Sequence, residues 1–311
     1  DRERSAVGHG ITLHHPVRWQ PVTVNGGQTG MAVDGTPADC VMLGLAELDS
    51  RGRTPKQIVS HLNGRFGVAM ENARVLRRHL DLAGPIPVGL QLMGRDPAAM
   101  AETARRAEAA GAPLVDLNFG CAVARICKKG CGAALLKKPE QAAAIIKAVR
   151  RAVSLPVFVK YRTGWDDDPQ IAVDLARRFE DAGADTLTFH PRVAPDRRTR
   201  PPRWEYITRV KNAVRIPVIG NGDVFDRRDC EKMINQTGCD GVALGRLALA
   251  RPWIFAEWAS GYQPPADIYL TTALSLTEYL EACFGPLTGK RRFQRYASYF
   301  TANFRYGHFL Y

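Results

Sequence analysis

The stretch "DLNFGCAVARICKKGCGAALL" (116–136) sets three cysteines, three glycines and a Lys-Lys pair behind a short apolar run. Cys121, Cys127 and Cys131 are separated by five and then three residues, with no His nearby. Metal sites built on cysteine use closer pairs and a converging fourth ligand, so this spacing argues against a metal. Cys127 and Cys131 read as small packing hydrophobes. Cys121 differs, because it follows Asn118 and Gly120 just past a strand-like run. An ordinary thiol is mostly protonated at neutral pH and can donate a proton; it becomes a nucleophile only when its pKa is lowered. Lys128 and Lys129 would lower it if they pointed inward. The reading adopted is a solvated loop or phosphate contacts.

Further polar residues recur at the ends of apolar runs. "VKYRTGW" carries Lys160 and Arg162, and "FHPRV" carries His190 and Arg192. A spacing of two puts each pair on one face of a strand. Cations so placed suit an anionic cofactor or substrate. "GNGDV" and "ALGR" supply Asn221, Gly222, Asp223, Gly245 and Arg246, and small residues there let backbone amides approach a phosphate. The basic "RRTRPPRW" (197–204), with Arg197 and Arg198, reads either as a solvated loop or as a grip on phosphates. In "RRFQRYASYFTANFRYGHFLY" (291–311) Arg and aromatic residues interleave. That pattern suits an RNA surface or one buried helix face.

These residues need elements to position them. Six β-rich runs follow one another: 86–94, 114–120, 156–165, 185–193, 216–224 and 241–246. Ala-rich amphipathic segments lie between them. Two open at Asp-Pro and close at Gly, which suits a helix start and a helix end. Such alternation predicts a parallel sheet with covered faces. Nearly every strand end carries a polar residue, Gln91 and Asn118 included. That predicts a TIM-type (β/α)8 barrel, incomplete with six visible strands, rather than a sheet with a single switch point. Residues 10–35 read as a hairpin with a Gly-rich turn, 36–48 and 67–84 as helices, and 49–65 as linker. The last stretch, from about 266, reads as helical.

The chain has 311 residues, 45% hydrophobic and 24% charged, and a formal net charge of +12. The charge favours an anionic partner, nucleic acid first. No apolar run approaches the roughly 18 residues of a membrane helix. The opening "DRERSAVGHG" shows no secretory signal, and it lacks Met. Seven cysteines, an odd number, point to a reducing cytoplasm rather than a disulfide framework. No membrane and no protein partner is implied.

The signature 116–136 resembles that of tRNA-dihydrouridine synthases, D-x-N-x-G-C-P followed by K/R-x-G-x-G-A-x-L-L. "QLMG", "VKYRTGW", "FHPRV", "IPVIGNGDV" and "GCDGVALGR" match further family stations in order, over about 86–311. The resemblance implies an FMN-containing barrel over 86–260 and a C-terminal helical, tRNA-binding portion over 261–311, here cut short. It implies that NADPH reduces the flavin, that hydride passes to uridine C6, and that a cysteine protonates C5. On that resemblance Cys121 is the general acid. Gln91, Lys160, His190, Asn221, Gly222, Asp223, Gly245 and Arg246 hold the flavin. Asn118, Arg162, Arg192, Arg197 and Arg198 meet the substrate. Ala122 stands where Pro usually follows the cysteine, and the family's first two strands are not visible. Residues 1–50 instead resemble an internal piece of SurE-type 5′-nucleotidases, joined by a linker and helix over 51–85. Ser5 matches that family's Ser, but its Asp pair and Asn are missing, so phosphatase activity is not expected. An RNA-binding remnant without flavin is the alternative to an active reductase.

Overall fold

A computed structural model describes residues 21–24, 28–31, 89–196 and 200–305. Strands β1 (Pro21–Val24) and β2 (Gln28–Met31) pair antiparallel, Pro21 opposite Met31 and Val24 opposite Gln28, as the hairpin reading predicts. The helices expected at 36–48 and 67–84 and the linker at 49–65 fall outside the described residues, as do Arg197 and Arg198.

From residue 90 strand and helix alternate. The order is β3 (Leu90–Leu92), α1 (Pro97–Ala109), β4 (Val115–Phe119), α2 (Ala124–Cys127), a 3-10 turn (Gly132–Lys137) and α3 (Pro139–Ala152). Then come β5 (Val157–Gly164), α4 (Pro169–Asp181), β6 (Thr186–Val193), α5 (Trp204–Ala213), β7 (Val218–Asn221), α6 (Arg227–Thr237) and β8 (Gly241–Ala243). The six strands β3 to β8 form one parallel sheet in sequence order, the arrangement of consecutive units in a TIM-type barrel. The helices that follow are α7 (Arg246–Ala250), α8 (Ile254–Ser260), α9 (Ile268–Phe284) and α10 (Pro286–Phe300).

The helix boundaries follow from local chemistry. Asp96 and Asp168 cap α1 and α4, their carboxylates accepting from the N–H groups of Ala99 and Gln170 at 2.8 Å, with Pro in the first turn. Past the other ends, Gly111 and Gly183 take φ of +91° and +100°, backbone that other residues resist.

Alternation along the strands separates two faces. Val115, Leu117, Val157, Val159, Tyr161, Leu187 and Phe189 join the helices in the main core. Tyr161 stacks on Phe189 with ring centroids 4.8 Å apart, and its hydroxyl donates to the Ala172 carbonyl of α4. The opposite face holds a small apolar plug of Leu114, Phe158, Ile219 and Ala243. Above that plug, the same face carries the polar residues singled out from the sequence.

The aromatic stripe near the C-terminus resolves into packing. On α10, Tyr296 and Phe300 are buried and stack at 5.1 Å, Phe293 lies against Tyr296, and Tyr269 and Phe304 lean on Phe300. Trp253 meets Tyr269 edge-on. Of the two readings of this stripe, Tyr296 and Phe300 fit the buried helix face, Phe293 is half-buried and Phe304 is exposed.

Candidate active site

Cys121 sits two residues past the end of β4, 8% exposed. Every backbone polar group of Gly120 and Cys121 is held. Asn118 Oδ1 accepts from the N–H groups of Gly120 (3.1 Å) and Cys121 (2.9 Å). Arg162 Nε donates to the Gly120 carbonyl at 2.9 Å. The Cys121 carbonyl accepts from the Ala133 N–H at 2.9 Å and from the Cys127 thiol at 3.5 Å. Gly132 has to be glycine: its φ is +61°, and a Cβ there would stand 2.5 Å from the Cys121 carbonyl oxygen. Burial pushes the Cys121 thiol pKa up. The Val123 N–H, Arg162 and Lys160 act in the opposite direction without overcoming it. Lys128 and Lys129 are exposed, so they are not the inward-pointing lysines that would activate a thiolate.

The strand register assembles the remaining residues. Asn118, Lys160, Thr188 and Ile219 are successive partners across the sheet, so they form one layer on the face of the plug. Arg162 and His190 partner each other one layer further along. Lys160, Arg162 and His190 are all buried. Lys160 Nζ lies 3.7 Å from where a Cβ on Gly120 would stand, so the lysine reaches the root of the cysteine loop.

At the far end, β6 changes register between His190 and Val193. Pro191, which has no N–H to give a ladder, lies in this bulge. Arg192 reaches toward the loop after β7, where its Nη2 donates to Asp223 Oδ2 at 2.7 Å, while its Nε donates to the Arg200 carbonyl. Arg246, the first residue of α7, donates to Asp223 Oδ1 at 2.6 Å. One carboxylate thus orients two guanidinium groups. Asp223 does so at φ +52°, a strained setting for a residue with a Cβ. Gly222, at φ +124°, lies against Pro202 and the His190 ring, and its carbonyl accepts from Trp204 Nε1 at 2.9 Å. Asn221 is fully buried; its Nδ2 donates to the Ala243 carbonyl, and its Oδ1 meets no donor among the described residues. Gly245 precedes α7 as its cap residue.

The structure therefore brings Gln91, Asn118, Cys121, Lys160, Arg162, His190, Asn221, Gly222, Asp223 and Arg246 to one edge and face of the sheet. Arg192 was grouped with substrate contacts on sequence alone. In the structure it donates to Asp223, which also accepts from Arg246. Two participants were missed. Asp116, two residues before Asn118 and so on the same strand face, was legible by alternation. Trp204, which holds Gly222, left no sequence signal.

The family model for Dihydrouridine synthase (Dus) matches residues 65–302. The chain belongs to the dihydrouridine synthase family. A second family model, Survival protein SurE, matches residues 1–68. Among curated relatives, the tRNA-dihydrouridine synthase B of Pseudomonas aeruginosa is 43% identical over 171 residues, covering 55% of this chain and 52% of that protein. The probable tRNA-dihydrouridine synthase 1 of Synechocystis sp. is 44% identical over 171 residues, covering 55% and 48%. In these alignments the dihydrouridine synthase chain spans about half the length of each relative. A solved structure of morphinone reductase in complex with tetrahydroNAD superposes with a TM-score of 0.51 at 13% identity, covering 74% of this chain and 84% of that one. At that identity the likeness concerns the fold alone. The family match begins ahead of Ile86, taking in residues that the sequence reading assigned to linker and helix.

Proposed function

We propose that this chain reduces a uridine of tRNA to 5,6-dihydrouridine, with FMN as the bound hydride carrier and NADPH as reductant. The observation that carries the reading is the buried thiol of Cys121, kept protonated and pinned at the strand edge that Lys160, Arg162 and His190 share. Reduction of a uracil ring builds negative charge on it, and a poised proton donor lowers that barrier. A thiol with a raised pKa is such a donor.

The residues present fit FMN. Asn221 Oδ1, buried without a donor among the described residues, is an acceptor waiting for a hydroxyl or ring N–H. Arg192 and Arg246, both oriented by Asp223, offer guanidinium groups of the kind that grip a phosphate. What bound FMN supplies is hydride, taken from NADPH and passed to C6 of the uracil. Gln91 and His190 contact the flavin in this reading, and Lys160 favours negative charge on its ring. Gly222 and Gly245 let the backbone approach the phosphate end. Asn118 and Arg162 hold the loop of Cys121 and border the base. Cys121 Sγ gives its proton to C5 and regains one from solvent. Arg197 and Arg198 meet tRNA phosphates, and the target base must leave its stack to reach the thiol. The free thiols at Cys121, Cys127, Cys131, Cys230 and Cys239 are in keeping with a reducing cytoplasm.

A visible absorption spectrum of the purified chain, before and after adding FMN, tests the reading, followed by NADPH oxidation with unmodified tRNA. Flavin bands and tRNA-dependent oxidation are expected. A colourless protein that takes up no FMN yet binds tRNA in a salt-sensitive way would favour the RNA-binding remnant.

A further inference from the structure

We infer that Asp116 is a positioning residue for Cys121, acting through a relay of two side-chain amides. Asp116 lies on β4, 5% exposed, on the strand face that Asn118 shares. Gln91 is its register partner on β3. Gln91 Nε2 donates to Asp116 Oδ2 at 2.6 Å. The other end of that amide, Oε1, accepts from Asn118 Nδ2 at 2.8 Å. Asn118 then has its Oδ1 turned toward the N–H groups of Gly120 and Cys121.

The chemistry of each link dictates the next. A carboxylate only accepts, whereas a carboxamide donates at one end and accepts at the other. With Asp116 at its root, the Gln91 amide has one favourable setting, nitrogen toward the carboxylate and oxygen toward Asn118. The reverse setting would face Oε1 with the Asp116 oxygens. Asn118 is set in turn, and its oxygen gathers the two N–H groups that carry the cysteine loop. Each link polarises its neighbour, so the relay is stiffer than its separate bonds. In this inference Asp116 acts on the cysteine loop through Gln91 and Asn118. The inference deepens the reading of Cys121 as proton donor, and its activity arm rests on that reading.

The test compares Asp116→Leu, Asp116→Asn and Gln91→Met with the full chain. Asp116→Leu removes the acceptor at similar volume. Asp116→Asn keeps an acceptor oxygen and serves as the conservative rescue. Gln91→Met cuts the relay in the middle and carries the test if Asp116→Leu does not fold. Hydrogen exchange of the Gly120 and Cys121 amides and iodoacetamide labelling of Cys121 need no turnover. Asp116→Leu and Gln91→Met are expected to speed exchange at these two amides by about tenfold. Labelling at fixed pH should rise several-fold as the thiol leaves its pocket, with Asp116→Asn within about twofold of the parent. In turnover, Asp116→Leu should lower kcat with KM for tRNA unchanged. Parent-like exchange and labelling in folded Asp116→Leu would overturn the inference. So would an Asp116→Asn variant as impaired as Asp116→Leu. If the parent shows no turnover but exchange and labelling respond as expected, the proposed function falls and the positioning role stands.

Discussion

The buried thiol of Cys121 and the half-buried carboxylate of Asp223 each make a prediction of their own. At Cys121 burial outweighs the Val123 N–H and the cations at 162 and 160, so the thiol stays protonated beyond the ordinary thiol range. Alkylation requires the thiolate. Labelling of Cys121 should therefore be slow at neutral pH, and its rise should be displaced above the usual midpoint of about 8.5, read by mass spectrometry across an alkaline pH series. Cys121→Ser retains size but replaces the donor with a far weaker acid. Turnover should fall about 100-fold or more with flavin content unchanged, measured as tRNA-dependent NADPH oxidation. Asp223 poses a different problem, strain at φ +52° combined with a double ion pair. Asp223→Ala gives up both arginines and keeps the strain, whereas Asp223→Gly gives up the arginines and relieves it. The glycine variant should be more stable than the alanine variant by about 1 kcal/mol in denaturant titration, with the two weakened alike for FMN. The types of these residues were legible in the sequence, because polar residues at strand ends stand out against apolar runs. Their partnerships were not. Gln91 and Asp116 are 25 positions apart and meet only through the β3–β4 register.

At the scale of elements, local signals carried most of the fold. Asp-Pro starts and Gly ends located α1 and α4, and the six β-rich runs contain the six strands of the sheet. The bulge in β6 was not read, although a Pro inside a central strand is its signature. Just past that Pro, Arg192 donates to Asp223, a partnership that the run of residues alone did not show. The two helix-ending glycines give a graded prediction. Both hold positive φ, so alanine at either carries a backbone penalty of about 1–2 kcal/mol. A Cβ on Gly111 would meet open space, while one on Gly183 would stand 2.8 Å from Arg150 Cγ. Arg150 has little freedom to yield, because it donates to Asp185 at 2.8 Å and to the Val153 carbonyl at 2.6 Å. Gly183→Ala should therefore lower unfolding free energy more than Gly111→Ala, and equilibrium denaturation of the two variants checks the order.

For the whole molecule the governing quantity is charge. The net charge of +12 agrees with the proposed RNA substrate, but a total does not say which face would meet it. Of the C-terminal aromatics, Tyr296 and Phe300 are spent on packing against α9 and within α10. Exposed cations remain close in sequence to the thiol: Arg125 on α2, Lys128 and Lys129 in the loop after it, Lys137 at the end of the 3-10 turn and Lys138 just past it. The 3-10 turn is braced from beneath, because Trp165 Nε1 donates to the Ala133 carbonyl and Lys137 lies 3.9 Å over the Trp165 ring. Lys128 and Lys129 project from the same short segment, and the backbone of that segment is tied to Cys121 through Ala133. Phosphates gripped there would bring the RNA to the sheet edge that carries the proposed proton donor. Deleting a cation that neutralises a phosphate takes nearly one unit off the slope of log affinity against log salt. Lys128→Ala with Lys129→Ala should flatten that slope by about 1.5 to 2 and weaken tRNA binding at low salt. Flavin content should be untouched, because both lysines are exposed and neither is among the residues proposed to hold the flavin. A salt series of tRNA binding on parent and double variant reads the slope directly, and an unchanged slope would move the RNA-facing surface away from the cysteine loop.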